Sequence, residues 1–174
     1  GKLTQGNGDT YEGAFVMGKR EGEGRMTYAD GSTYQGAFKA DMRHGQGSFA
    51  GADKTAYRGA WDQGRMEGQG QLTYPDGSVY QGGFKANLPD GAGKITFPGG
   101  ASYDGQWAAG VMTGKGTLTH ADGAAYVGAV VAGKPEGAGV MTYPDGYSYD
   151  GTWKAGLREG AGKATWADGT VYEG

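Results

Sequence analysis

Tyrosines at Tyr11, Tyr34, Tyr57, Tyr80, Tyr103, Tyr126, Tyr149 and Tyr172 are each separated by 23 residues, and no other feature limits so strongly what this chain can fold into. A fixed period of this length marks a stack of like supersecondary units, each too small to bury its own apolar face. The unit from Tyr57 to Val79 reads YRGAWDQGRMEGQGQLTYPDGSV. Residues 1–10 align with the back half of such a unit: Leu3 is in phase with Met26 and Leu72, and Gly8 with Gly31 and Gly77. Full units begin at 11, 34, 57, 80, 103, 126 and 149, and residues 172–174 open another. The expected organisation is a single array over residues 1–174, cut from a longer one.

Within the unit, Tyr57, Gly59 and Trp61 alternate, as do Gly68, Gly70, Leu72 and Tyr74. Period two means strand. A helix would carry glycine in every turn at about 1 kcal/mol each, with no apolar i, i+3, i+4 series to offset it. Gln63-Gly64-Arg65 supplies a turn between the two strands of the unit, and Asp76-Gly77 a turn to the next. The fold class is therefore all-β, a single-layer antiparallel meander of stacked hairpins with some fifteen strands. At about 4.8 Å per strand the body is expected to be roughly 70 Å long, and strand twist to coil it into a half-pipe.

Pairing Tyr57 with Leu72, Gly59 with Gly70 and Trp61 with Gly68 puts large side chains on one face, alternating with glycine. A ring lying over a residue without a side chain buries aromatic surface in a single layer. Trp61, Trp107 and Trp153 are expected to share one such environment. The opposite face carries Arg58, Ala60, Asp62, Gln69, Gln71 and Thr73, and belongs in water.

The composition closes several functional classes. Glycine accounts for 39 residues, yet the chain also holds 12 Tyr, 4 Trp and 5 Phe, too many for a flexible linker. It has no cysteine, hence no disulfide or thiol chemistry. A net charge of −3 offers no footprint for nucleic acid. The pairs Gly22/Gly24, Gly45/Gly47 and Gly68/Gly70 lack the third glycine and the helix N-terminus that a nucleotide site needs. Asp30, Asp76, Asp122, Asp145 and Asp168 each precede glycine, one per unit, which is turn chemistry and not a calcium loop. His44 and His120 occupy different unit positions, and no nucleophile stands beside a base. No catalytic residue, metal site or cofactor is expected.

YxGxW followed by GxxxGxG and a DG turn appears as Tyr103-Gly105-Trp107, Gly110, Gly114-Gly116 and Asp122-Gly123, and again as Tyr149-Gly151-Trp153, Gly156, Gly160-Gly162 and Asp168-Gly169. The pattern, seven times in phase, resembles the MORN (membrane occupation and recognition nexus) repeat family. Three units depart from it. The unit at Tyr34 has Asp41 for the hairpin glycine, Gly51 for the late aromatic residue, and Asp53-Lys54 for Asp-Gly, so its last turn is expected to be looser. The unit at Tyr80 has Asn87 and Gly99-Gly100, which keep both turns. The unit at Tyr126 has Val130 in place of Phe or Trp, an expected shallow spot.

The resemblance implies a non-catalytic scaffold, at the periphery of the cytoskeleton or a membrane, with a cytoplasmic location expected, or periplasmic in a bacterium. Tyr28, Tyr74, Phe97, Tyr143 and Trp166 recur on the aromatic face and form the expected groove for an extended or helical partner segment. Glu21, Glu67, Asp90, Glu136 and Glu159 recur at one unit position and are expected to form a solvated, charge-balanced rim along the groove, with a binding edge as the alternative. Val171, Tyr172 and Glu173 form an uncapped edge, expected to pair two copies about a two-fold axis. Two alternatives stand beside protein binding. One is a phospholipid-surface module, which the dispersed Lys and Arg residues argue against. The other is a regulatory array in a larger enzyme.

Overall fold

A computed structural model describes residues 1–174. Sixteen strands follow one another: β1 (Lys2–Thr4), β2 (Thr10–Val16), β3 (Lys19–Thr27), β4 (Thr33–Lys39), β5 (Met42–Ala50), β6 (Ala56–Asp62), β7 (Arg65–Thr73), β8 (Val79–Lys85), β9 (Leu88–Thr96), β10 (Ser102–Ala108), β11 (Val111–Thr119), β12 (Ala125–Val131), β13 (Lys134–Thr142), β14 (Ser148–Lys154), β15 (Leu157–Thr165) and β16 (Val171–Glu173). They form one antiparallel sheet in the order of the sequence. Contacts divide the chain into two compact units, Gly1–Leu88 and Pro89–Gly174.

Both turns of the repeat follow from local sequence. Between β6 and β7, Asp62 pairs with Arg65 around Gln63 (φ 50°) and Gly64 (φ 81°). Two positive φ values make the mirror-image turn that suits the right-handed twist of a hairpin. Between β7 and β8, Gly77 N–H donates to Tyr74 O (2.9 Å) and Tyr74 N–H to Ser78 O (2.8 Å). The Asp76 carboxylate accepts from Ser78 N–H (2.8 Å), and that amide donor holds its pKa below the usual carboxylate range. The turn at Asp53-Lys54 is no looser: Lys54 N–H reaches Gly51 O (3.2 Å), Gly51 N–H reaches Thr55 O (2.7 Å), and Thr55 N–H reaches Asp53 Oδ1 (2.9 Å). The difference lies in the backbone, because Lys54 is forced to φ 78°, a region costly for a residue with Cβ.

The register of the first unit corrects one expected pairing. Tyr57 does face Leu72 and Gly59 faces Gly70, but Trp61 faces Met66, not Gly68. Ala60 is opposed by Glu67, Gly68 and Gln69, and this bulge recurs at β2–β3 and β4–β5. Gly68, at φ 91°, supplies the backbone conformation that a bulge demands. On its other side it pairs with Phe84 of β8.

The core of each unit is a row of tyrosines lying on glycine. In the first unit Tyr11, Tyr34, Tyr57 and Tyr80 are buried, and in the second Tyr103, Tyr126 and Tyr149. A Cβ built on Gly116 would lie 2.5–2.6 Å from atoms of the Tyr103 ring, so the absence of a side chain there is a steric requirement. Six of these hydroxyls donate to the carbonyl three residues on, from Tyr11 to Ala14 through Tyr126 to Ala129, at 2.7–2.9 Å. Where a repeat has Phe or Trp four residues after its tyrosine, the ring meets the tyrosines edge-on: Tyr34–Trp61 5.4 Å, Tyr57–Trp61 5.0 Å and Tyr149–Trp153 5.4 Å between centroids. Trp61, Trp107 and Trp153 share one environment. Each indole N–H donates to a glycine carbonyl 14 residues back, Gly47, Gly93 and Gly139. Val130 leaves no shallow spot; it is 1% exposed, between Gly114 and Pro135.

Candidate functional site

The five rings of the expected groove sit where each long strand gives way to the turn that follows it. In the first unit Tyr28 and Tyr74 are half-buried, and in the second Phe97 and Tyr143 are half-buried while Trp166 is 41% exposed. Burial pushes the Tyr74 pKa up, with a smaller push from Asp76. The fold does not need a ring here. Gly51 and His120 stand at the same unit position, and the backbone bonds of their turns, Gly51 N–H to Thr55 O and His120 N–H to Ala124 O, match the one Tyr74 makes to Ser78.

Arginine joins the rings, a partnership that the sequence reading missed. In the first unit the Arg43 guanidinium lies 4.9–5.4 Å from the centroids of Tyr28, Tyr34, Phe49 and Trp61. Its Nη2 and Nε donate to the Tyr28 hydroxyl at 2.6 and 3.2 Å. In the second unit Arg158 lies 4.5 Å from the Tyr149 centroid and 5.3 Å from that of Tyr147, donating to the hydroxyls of Tyr147 (2.9 Å) and Tyr143 (3.3 Å). Tyr147 also bridges Tyr143 and Trp166, with centroids at 5.4 and 5.3 Å. Cations over ring faces in partly desolvated sites are favourable. The signal was the recurrence of Arg20, Arg43 and Arg158 at one unit position, which alternation places on the aromatic face and not on the rim.

The carboxylate row is not a free rim. Glu21 accepts from Ala40 N–H (2.8 Å), Glu67 from Ala86 N–H (2.8 Å), Asp90 from Ala109 N–H (3.0 Å) and Glu136 from Ala155 N–H (2.7 Å). Each ties its hairpin to the turn of the next. Val171, Tyr172 and Glu173 form β16, which pairs with Thr165, Ala164 and Lys163 of β15 and is exposed.

On the opposite face the first unit has a cleft of about 400 Å³ that includes Gln35, Ser48, Arg58 and Gln71. On the aromatic face, a cleft of about 300 Å³ lies beside Tyr28 and Arg43. The aromatic face of the first unit thus combines rings, the two guanidiniums of Arg20 and Arg43, and a recess.

The MORN repeat model matches residues 11–33, 34–56, 57–79, 80–102, 103–125, 126–146 and 149–171, in the phase of the tyrosines. Among solved structures, the chain is similar to the TCP domain of SAS-4 (dCPAP) of Drosophila melanogaster, solved in complex with a proline-rich motif of Ana2 (dSTIL). The identity is 14% over 99% of this chain and 87% of that one, with a TM-score of 0.57. It is also similar to the G-box domain of the microcephaly protein CPAP, 15% identical over 99% of this chain and 96% of that one, with a TM-score of 0.56. At these identities the likeness is one of fold. No curated protein matches the chain.

Proposed function

The chain belongs to the MORN repeat family, and from that premise we propose that it is a protein-binding scaffold whose aromatic face takes an extended segment of another protein. The reading rests on one observation. The ring at the head of each turn is dispensable to the fold, as Gly51 and His120 demonstrate with intact turns, yet five of the seven units place Tyr, Phe or Trp there. Aromatic side chains that no packing requirement explains are the usual anchors of an interface. A chain of the same fold is described in complex with a proline-rich motif, which supports an extended occupant.

The test is alanine at Tyr28 and Tyr74 together, compared with alanine at Gln35 and Gln71 on the opposite face. The first pair is expected to abolish binding of the partner while leaving cooperative unfolding in place, and the second to leave both unchanged. Anionic vesicles in a co-sedimentation series are the control. Sedimentation with vesicles that is lost in the Tyr28/Tyr74 variant would turn the reading to lipid.

A further inference from the structure

The same corner of the repeat occurs in three versions within the first unit, and the two that hold an arginine differ in the side chain of the turn residue beside it. At Arg20 the turn of the next hairpin supplies Asp41. The Asp41 carboxylate accepts from Arg20 N–H (2.8 Å) and Nε (3.2 Å), while Arg20 Nη2 donates to Asp41 O (2.8 Å). At Met66 the same turn position is Asn87, whose Oδ1 accepts from Met66 N–H (2.9 Å). At Arg43 it is Gly64. The backbone is unchanged, since Gly64 N–H donates to Arg43 O (2.9 Å) as Asp41 N–H donates to Arg20 O (3.1 Å) and Asn87 N–H to Met66 O (3.1 Å). Gly64, however, has no side chain to bring an oxygen to the corner.

Arg43 is consequently a guanidinium with no carboxylate. The two carboxylates that share its cleft are engaged: Asp41 with Arg20 at 3.2 Å, and Asp9 with Ala29 N–H at 2.8 Å. Two of its five donors go to Tyr28. The cleft of about 300 Å³ beside it reaches Gly64 and includes Met26, Phe38 and Met42. A Cβ added at Gly64 would meet nothing within 4 Å. The fold does not ask for a cation here, because Met66, Pro89, Met112 and Pro135 fill the same position in four of the six other repeats.

We propose that the notch between Arg43 and Gly64 is a carboxylate-binding site, which takes an aspartate or glutamate side chain of the segment lying on the aromatic face. Arg20–Asp41 is the internal pattern for it. The partner's carboxylate would sit close to where Asp41 sits one period earlier, accepting from the guanidinium hydrogens of Arg43 that Tyr28 leaves free, with its neighbouring apolar side chain against Met26, Phe38 and Met42. A half-buried guanidinium without a counter-ion selects by charge, and paired charged hydrogen bonds set orientation as well as strength. The inference rests on the protein-binding reading and names the chemistry of the partner at one point of it.

The experiment uses two blocked pentapeptides, acetyl-Gly-Leu-Glu-Leu-Gly-amide and its Gln counterpart, titrated into the ¹⁵N-labelled full chain. The readout is the Arg43 Nε–H and Gly64 N–H resonances. The Glu peptide is expected to shift both saturably, and the Gln peptide to bind at least about tenfold more weakly. Gly64→Asp places an internal carboxylate in the notch, in a turn conformation that Asp41 already adopts at φ 70°, and should weaken the Glu peptide by about tenfold or more. Gly64→Asn keeps the shape without the charge and should stay within about threefold of the wild type. Equal binding of the two peptides, or a Gly64→Asp variant that binds as the wild type does, overturns the proposal. If the notch fails while the Tyr28/Tyr74 double variant still loses its partner, the scaffold reading survives without it. If the notch binds and the double variant is silent, the ring track is wrong.

Discussion

Gly47 and Gly64 are the same residue for opposite reasons. Gly47 lies under the ring of Tyr34, where a Cβ would collide with the hydroxyl and ring carbons. Gly64 lies in a turn at φ 81° with nothing within 4 Å of a Cβ. The first is a steric demand and the second a conformational one, and they admit different replacements. In all seven full units the glycine under the ring is kept, from Gly24 to Gly162, whereas the turn glycine gives way to Asp41 and Asn87, residues that tolerate a left-handed backbone. The floor of the sheet is therefore where the fold is decided, and the hairpin ends are where units can differ and acquire binding chemistry.

The sharpest break of this contrast is a pair of substitutions one residue apart. Gly116→Val forces a side chain into the Tyr103 ring and should cost about 3 kcal/mol or more. Thr117→Val, on the opposite face and pairing with Val127, should change stability by a few tenths of a kcal/mol, roughly. Thermal melts of the two read the difference directly, and equal shifts would put the floor on the wrong face. Tyr57→Phe comes next. It strands the Ala60 carbonyl that the hydroxyl reaches at 2.7 Å, an expected loss of about 1–2 kcal/mol in chemical denaturation.

At the hairpin ends the effects are smaller and one has the opposite sign. Glu67→Ala removes the acceptor of Ala86 N–H and should cost about 0.5–1 kcal/mol. Lys54→Gly relieves a residue held at φ 78° and should raise stability by about 0.5–1 kcal/mol; a loss would mean that the lysine makes a contact worth more than its strain. Alkali separates the regions again. Burial pushes the hydroxyls of Tyr34 and Tyr57 up to about 12, from about 10 in the unfolded chain. The unfolded state therefore ionises first. Stability should hold up to about pH 10, fall between about 10 and 12, and level off above that range. In acid the sign reverses for the turn carboxylates Asp30, Asp53, Asp76 and Asp168, whose pKa values are lowered by Ser32, Thr55, Ser78 and Thr170, two residues on in each turn, whose N–H groups donate to them. Their contribution is present above the usual carboxylate pKa and is lost as pH falls through the lowered values.

How much of this was legible in the sequence follows from which interactions are periodic. The 23-residue spacing, the alternation of rings with glycine and the Asp-Gly turns were sufficient for the hairpin meander, its faces and the pairing of Tyr57 with Leu72. The displaced partner of Trp61 was not visible, because a bulge adds residues to one strand without changing the repeat length. Gly68 reads as a packing glycine in the sequence and acts as a bulge glycine in the fold. The capping role of Glu67 was hidden for a similar reason: its partner, Ala86 N–H, is 19 residues on and carries no side-chain signature. Tyr28, Tyr74, Phe97, Tyr143 and Trp166 were singled out from the sequence, but their neighbours Arg43 and Tyr147 were not. Alternation puts Arg43 on the aromatic face, but its partner Tyr28 lies 15 residues back, and Tyr147 lies in a turn, where alternation does not hold.

The central claim is that the aromatic face, not its reverse, meets another protein, and site-specific photo-crosslinking tests it most directly. Benzoylphenylalanine at Tyr74 should yield a covalent polypeptide adduct in an extract of the source cells, and the same probe at Gln71, three residues before it on the other face, should yield none. An adduct at Gln71 with none at Tyr74, or an adduct at Tyr74 made only with phospholipid, would contradict it.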